Sequence, residues 1–220
     1  MKPSCGFSRL LISFTFLALA GPPCMAAEAK AGGAPDEPLA RLKLGNERFY
    51  THPRSEPKPV EARRKATAEH QHPFAIIVAC SDSRVGPETI FDQTIGDLFI
   101  VRTAGNLVDS FALGSIEYAV QRLGARLIVV VGHQRCGAVS AAVASSNGPG
   151  HIGALIRALQ PAVQRARGMP GDLLKNATEV NAAMMAEKIR READFGPLAV
   201  QVEIVTGYYV LDNGHVEWND

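Results

Sequence analysis

The sequence lacks a region of strong charge of either sign. Its 220 residues carry a net charge of +1, and no run of five like charges occurs. Binding to nucleic acid needs a clustered basic face. The short basic cluster Arg63-Arg64-Lys65 is more typical of a solvated helix face than of such a patch. We therefore expect no nucleic-acid partner.

A hydrophobic run of membrane-spanning length is also missing from the N-terminal region. The apolar stretch Leu10–Ala20 is shorter than the roughly 20 residues that a transmembrane helix needs. It follows Lys2 and Arg9, and the helix-breaking Gly21-Pro22-Pro23 and then small residues come after it. This positive–apolar–small order is typical of a secretory signal peptide. We expect an exported protein, periplasmic or secreted, without stable membrane insertion.

The chain is accordingly divided into three parts. Residues 1–27 are the predicted signal peptide, with cleavage after Ala27 or Ala29. Residues 28–38, rich in Ala, Gly and Pro, are a predicted flexible leader, and residues 39–220 are a predicted single catalytic domain. Lipidation at Cys24 is an alternative, which the preceding Pro22-Pro23 disfavours.

Cysteine is scarce. Of the four cysteines, two lie in the predicted signal peptide, so the mature chain keeps Cys80 and Cys136. In an oxidising compartment, an isolated pair of this kind normally indicates a disulfide. A disulfide, however, does not explain Asp82 and His133, which lie beside the two cysteines in the sequence. Metal binding explains all four residues together, and we favour zinc.

Apolar segments alternate with helical segments along the chain. The continuous apolar segments are typical of buried parallel strands, and strand–helix alternation favours a parallel sheet with covering helices. We predict an α/β fold with a mainly parallel central sheet, an antiparallel edge hairpin at Asn213-Gly214, and helices on both faces. The predicted strands are 74–79, 98–101, 127–131 and 200–205, and the predicted helices include 60–70, 87–91, 107–123, 136–144 and most of 151–195.

The four candidate ligands follow two of these strands. In open α/β sheets, ligands bind beyond the carboxyl ends of the strands. Zinc accepts Cys, His and Asp ligands in tetrahedral geometry, and a catalytic site keeps one position exchangeable. We expect Cys80, His133 and Cys136 to be permanent ligands and Asp82 a conditional one. Arg84 is placed to hold the Asp82 carboxylate off the metal, which would admit water.

Several motifs, in order, resemble the β-class carbonic anhydrases. The resemblance covers roughly residues 40–218. Its motifs are Cys80-Ser81-Asp82-Ser83-Arg84-Val85, Phe91-Asp92, Gly96-Asp97-Leu98-Phe99, Arg102-Thr103-Ala104-Gly105-Asn106, Gly132-His133-Gln134-Arg135-Cys136-Gly137-Ala138, and the closing hairpin Gly207-Tyr208-Tyr209 with Gly214-His215-Val216.

The resemblance implies a function for these residues. It implies reversible hydration of carbon dioxide to bicarbonate and a proton, with one zinc ion per subunit and with Asp82 and Arg84 as the catalytic dyad. It also implies four parallel strands with an antiparallel fifth, and a homodimer or tetramer. Ala104 and Gly105 are weaker candidates for the substrate pocket, because a tight turn that needs glycine explains them equally well.

One departure from the family's pattern narrows the expected subtype. Some members carry an inhibitory bicarbonate site that uses a Trp three residues before the first zinc Cys; here Ile77 stands there, although Arg102 matches that site's Arg. We therefore expect the permanently accessible subtype. Two alternatives stay open: a carbon disulfide or carbonyl sulfide hydrolase on the same fold, and a non-catalytic zinc- or bicarbonate-binding module.

Overall fold

A five-stranded sheet forms the centre of the protein. The structure is a computed structural model, and it describes residues 37–51 and 59–219. The predicted signal peptide and almost all of the predicted leader lie outside these residues. The strand order is β2-β1-β3-β4-β5, in which the first four strands are parallel and β5 is antiparallel to β4. The strands are β1 (Ala75–Cys80), β2 (Leu98–Thr103), β3 (Leu127–His133), β4 (Glu203–Tyr209) and β5 (Val216–Asn219).

The two central strands explain why the sheet is parallel. Every residue of β1 and β3 is buried, and both strands are rich in Ile and Val. Strands covered on both faces carry continuous apolar runs of this kind. Alternate residues of β1 point to opposite faces, so Ile77 and Ile76 belong to two separate core clusters. The predicted fold class is confirmed.

The part of the chain that the structure describes contains seven helices, and all but α2 contribute buried residues to the two faces of the sheet. Residues of α4 and α7 fill the core on the Ile76 face, and residues of α1, α3, α5 and α6 pack on the Ile77 face. The helices are α1 (Pro38–Thr51), α2 (Val60–Ala66), α3 (Pro87–Ile90), α4 (Ser110–Leu123), α5 (Gly137–Ala144), α6 (Gly150–Ala166) and α7 (Leu173–Glu192).

Three predicted boundaries are wrong. The helix expected over 60–70 ends at Ala66, and the helix expected from 107 begins at Ser110. The Asp109 carboxylate caps that second helix by accepting a hydrogen bond from the Ala112 N–H. The strand expected over 200–205 is Glu203–Tyr209, because Gly196–Gln201 forms a 3₁₀ helix instead.

The position of this strand in the sheet also differs from the prediction. Residues 200–205 alternate between apolar and polar with a period of two, which predicts a strand at the sheet edge, whereas β4 lies between β3 and β5, and β5 is the edge. The predicted hairpin does connect β4 to β5, and Gly214 adopts a positive φ of 78° in the connection. Among the described residues, no helix is both long enough and apolar enough to cross a membrane.

Candidate metal centre

Three ligand-type side chains meet at one edge of the sheet. Cys80 is the last residue of β1, His133 is the last residue of β3, and Cys136 immediately precedes α5. Because β1 and β3 are parallel neighbours, their carboxyl ends lie side by side. The two sulfur atoms and a ring nitrogen of His133 all lie within 4.8 Å of one another, and all three residues are buried. We call these three residues the donor cluster.

The His133 ring is oriented so that one nitrogen remains available. Its Nδ1 lies 3.0 Å from the carbonyl oxygen of Gln134. A carbonyl oxygen can only accept a hydrogen bond, so Nδ1 carries the proton and the neutral ring keeps a lone pair on Nε2. Nε2 is buried and has no hydrogen-bond partner in the described part of the chain. A buried lone pair without a partner fits a metal ligand.

The two thiols of the donor cluster form a close pair without a disulfide bond. The sulfur atoms are 4.0 Å apart, and both cysteines are free. A hydrogen bond from the Cys136 thiol lowers the pKa of Cys80, and the Gly105 N–H, 3.3 Å from this sulfur, acts in the same direction. The same bond and burial raise the pKa of Cys136. The described structure therefore does not contain the disulfide considered as an alternative.

Asp82 lies beside the donor cluster but is bound to Arg84. The Arg84 Nε and Nη2 donate to the two carboxylate oxygens over 2.9 and 2.7 Å, and the Arg84 backbone N–H adds a third bond of 3.0 Å. These bonds hold the pKa of Asp82 below its usual range. Asp82 Oδ2 is 3.9 Å from His133 Nε2. The predicted Asp82–Arg84 pair is present, whereas the role of Asp82 as a conditional ligand stays a prediction.

The loop that carries Asp82 is fixed by Arg102. This side chain donates to the carbonyl oxygens of Cys80 and Asp82 over 2.9 and 2.7 Å. The sequence suggested Arg102 only as one partner of an inhibitory site, and it gave no signal for this contact. Ile77, at the position of that site's Trp, is fully buried in the core.

The predicted pocket residue Gly105 contacts the Cys80 sulfur through its backbone N–H. It has a positive φ of 70°, and an added Cβ would approach Leu159 and Ala138 to 3.2 and 3.3 Å. Its carbonyl accepts a 2.8 Å bond from the buried Asn181 of α7, which the sequence did not suggest. The conformation explains the glycine, and its N–H serves the Cys80 sulfur, so a role of Ala104 and Gly105 toward substrate stays a prediction.

The donor cluster has a defined arrangement that can be compared with known families. A cysteine and a histidine end two neighbouring parallel strands, and a second cysteine precedes the next helix. A sequence model described as carbonic anhydrase matches residues 75–216, which is more than half of the chain and includes every residue of the donor cluster. The chain belongs to the β-carbonic anhydrase family. The resemblance inferred from the motifs is thereby confirmed.

Individual relatives agree with this assignment. A carbonic anhydrase of Mycolicibacterium smegmatis is 37% identical over 183 residues, which are 80% of this chain and 89% of that protein. Carbonic anhydrase 2 of Mycobacterium tuberculosis is 54% identical over 106 residues, which are 48% of this chain and 51% of that protein. The match therefore spans about half the length of this second relative.

Solved structures agree on the fold. The Coccomyxa β-carbonic anhydrase in complex with acetazolamide superposes with a TM-score of 0.66 at 24% identity, over 72% of this chain and 77% of that chain. The β-carbonic anhydrase CafA of Aspergillus fumigatus gives a TM-score of 0.65 at 24% identity, over 71% of this chain and 79% of that chain. At this identity the likeness concerns the fold alone.

Proposed function

We propose that this β-carbonic anhydrase homologue catalyses the zinc-dependent, reversible hydration of carbon dioxide to bicarbonate and a proton. The observation that carries the proposal is the buried donor cluster, in which two sulfur atoms and a ring nitrogen of His133 lie within 4.8 Å of one another. Among the described residues, Nε2 of this ring has no hydrogen-bond partner. Zinc accepts these donor types. Cys80, His133 and Cys136 would hold the ion. When bound, zinc lowers the pKa of a coordinated water from 15.7 toward neutrality.

Asp82 supplies the acceptor for the reacting water. Its carboxylate faces the donor cluster, with Oδ2 3.9 Å from His133 Nε2, and it stays ionised because Arg84 lowers its pKa. An ionised carboxylate can only accept hydrogen bonds, so Asp82 would accept a hydrogen bond from the attacking oxygen and orient its lone pair toward carbon dioxide.

Arg84 keeps this acceptor available. Its two guanidinium bonds occupy both Asp82 oxygens. A bidentate contact of this kind fixes geometry as well as charge. Without Arg84, the carboxylate would be free to turn toward the cluster and serve as a fourth ligand. The pair thus distinguishes a site that admits water from a closed structural site.

The two cysteines set the direction of the pH dependence. Thiolate ligands offset more of the metal charge than neutral imidazoles do, so a coordinated water is less acidic here than at a three-histidine site. We expect activity to rise toward alkaline pH.

Stopped-flow measurement of carbon dioxide hydration across pH, on protein of known zinc content, tests the proposal. We expect about one zinc per subunit and hydration above the buffer background at alkaline pH. Zinc-loaded protein without hydration at any pH would instead support a non-catalytic module. Turnover of carbon disulfide or carbonyl sulfide in its place would identify the hydrolase alternative.

The proposal includes export and self-association. The N-terminal signal pattern supports export, and mass spectrometry of the protein from its native host would locate cleavage after Ala27 or Ala29. The family resemblance supports a homodimer or tetramer, which analytical ultracentrifugation would distinguish from a monomer.

A further inference from the structure

Two residues that lie between the metal-ligand candidates bind a common partner. Gln134 and Arg135 separate His133 from Cys136, and both side chains contact Asp212 in the connection between β4 and β5. The sequence predicted a tight turn at Asp212 and assigned no role to the other two residues.

The contact with Asp212 is made from several directions. Arg135 Nη2 and Nη1 donate to its two carboxylate oxygens over 2.6 and 3.2 Å. Gln134 Nε2 donates to Oδ2 over 2.9 Å, and the Asp212 backbone N–H donates to Gln134 Oε1 over 3.2 Å. Four hydrogen bonds therefore connect the short segment between two donor-cluster residues to the hairpin.

The same segment touches the Asp82–Arg84 pair. The Arg135 carbonyl oxygen accepts a 3.3 Å hydrogen bond from Arg84 Nη2, the nitrogen that also donates to Asp82. Arg135 has a positive φ of 54°, which is uncommon for a residue with a long side chain. A backbone in this conformation needs support from its surroundings. The four contacts with Asp212 provide it.

Asp212 also balances charge at this position. The Arg135 and Arg84 guanidinium groups are close enough that the charge of Arg84 acts to lower the pKa of Arg135, against the larger opposite effect of Asp212. Without the Asp212 carboxylate, the repulsion between Arg135 and Arg84 would not be compensated, and this would disturb the bidentate geometry of the Asp82–Arg84 pair.

We propose that Asp212 is a positioning residue that acts through Arg135 to hold the Asp82–Arg84 pair in its bidentate geometry. The Arg135 and Asp212 side chains are 53% and 60% exposed. Exposed ion pairs contribute little to the stability of a fold, so the effect of Asp212 should be on local geometry. The catalytic consequence rests on the proposed function, whereas the geometric claim does not.

The geometric claim is tested by NMR on the Arg84 Nε–H, identified by its disappearance in Arg84→Lys. In Asp212→Asn, the exchange of this proton with water should accelerate roughly 10-fold, the lower end of the 10- to 100-fold effect that loss of an outer contact has on metal affinity or activity. Arg135→Lys keeps the charge and the backbone carbonyl but loses the bidentate bond, and it should give the same acceleration.

The matched control is Glu61→Gln. It also converts an exposed carboxylate of an ion pair to an amide, but Glu61 pairs with Lys65 on α2, which contributes no residue to the donor cluster. We expect unchanged Arg84 exchange in this variant. Unchanged exchange in both Asp212→Asn and Arg135→Lys, or equal acceleration in the control, would overturn the proposal.

The catalytic consequence is measured separately. Asp212→Asn should lower kcat roughly 5- to 10-fold with little change in KM or melting temperature, and it should have no further effect in an Arg84→Lys background, because residues on one path are not additive. Faster Arg84 exchange with unchanged kcat would support the positioning role and instead contradict the catalytic role proposed for the Asp82–Arg84 pair.

Discussion

The donor cluster and the ion pairs beside it differ in solvent exposure and in the elements that carry them. Cys80, His133 and Cys136 are at most 5% exposed, and they lie at the ends of buried strands or the start of a helix. The Arg84, Arg135 and Asp212 side chains are at least half exposed, Asp82 is 17% exposed beneath Arg84, and loops or turns carry all four. We call the pairs Asp82–Arg84 and Arg135–Asp212 the rim pairs.

This difference in exposure suggests separate roles, with the donor cluster setting the affinity for a metal ion and the rim pairs controlling access to it. A buried polar atom without a partner is costly, so the His133 Nε2 lone pair favours any state in which it is satisfied. The rim pairs have water as an alternative partner, so they can rearrange at small cost. The donor cluster, which is the buried half of the site, is therefore suited to holding an ion. The rim pairs, which are the more exposed half, are suited to controlling which other molecules reach that ion.

The largest expected effect is in the buried half. Cys136→Ser replaces a thiolate ligand by a hydroxyl that is not ionised near neutral pH, and it leaves the Cys80 sulfur without its 4.0 Å partner. Because the loss of an outer contact already costs 10- to 100-fold in metal affinity, the loss of a direct ligand should cost more than about 100-fold. Competition with a chromophoric chelator measures this affinity, and activity should disappear with the metal.

The matched change in the exposed half should separate zinc binding from turnover. Asp82→Asn keeps the shape of the side chain but removes the acceptor charge that Arg84 holds. We expect zinc affinity close to that of the unmodified protein and a kcat lower by about 100-fold, as the loss of one preorganised hydrogen-bonding group commonly costs.

Two outcomes would break the comparison. Equal loss of zinc in Asp82→Asn and Cys136→Ser would mean that Asp82 is an ordinary ligand. Full activity in Asp82→Asn would mean that the carboxylate has no part in turnover. Arg84→Lys is the companion variant, since it keeps the positive charge but loses the fork of donors that binds both oxygens.

The buried half could be predicted from the sequence and the exposed half only in part. Cys80 and His133 end apolar segments that read as neighbouring parallel strands, and parallel strands bring their carboxyl ends together. Asp82 and Arg84 are two residues apart, so their pairing is local. The partners of Gly105 and Arg135 are not local: Asn181 is 76 residues from Gly105, and Asp212 is 77 residues from Arg135.

The boundary errors have a related cause. Hydrophobic periodicity marks the middle of an element, whereas capping and tertiary contacts set its ends. Val200 illustrates this, because it fits the alternating pattern of the next strand but lies in a 3₁₀ helix and is 93% exposed.

The two glycines that flank the ligand segment are expected to differ, with a moderate effect on stability at one and almost none at the other. An added Cβ at Gly132, next to His133, would lie 2.8 Å from the Thr178 Cγ2 and 3.3 Å from its carbonyl oxygen. At Gly137, next to Cys136, it would meet nothing within 4 Å. Gly132→Ala should lower the free energy of unfolding by about 1–3 kcal/mol, and Gly137→Ala should change it by less than about 0.5 kcal/mol. Urea denaturation measures both, and similar costs would show that His133 is no more tightly packed than the start of α5.

The smallest expected effect concerns two adjacent residues of β4. Tyr209 packs in the core cluster that contains Cys80 and Cys136, whereas Tyr208 lines a cavity of about 350 Å³ together with Arg135 and Lys175. Burial, with the nearby carboxylates, raises the pKa of Tyr208 to about 12, and burial alone raises that of Tyr209.

The sign of the pH effect follows from these directions. Because the folded-state pKa of Tyr208 lies above the value of about 10 for an unfolded tyrosine, the neutral phenol contributes its full stability below pH 10. This contribution is lost as the pH rises through about 12. As the pH rises between these values, the melting temperatures of both the unmodified protein and Tyr208→Phe should fall. The decrease should be roughly 2–4 °C smaller for Tyr208→Phe. Tyr209→Phe should give a smaller difference, because no carboxylate adds to the effect of burial there. A larger difference for Tyr209→Phe than for Tyr208→Phe would contradict this and would mean that ionisation of the phenol costs more on the donor-cluster side of the sheet.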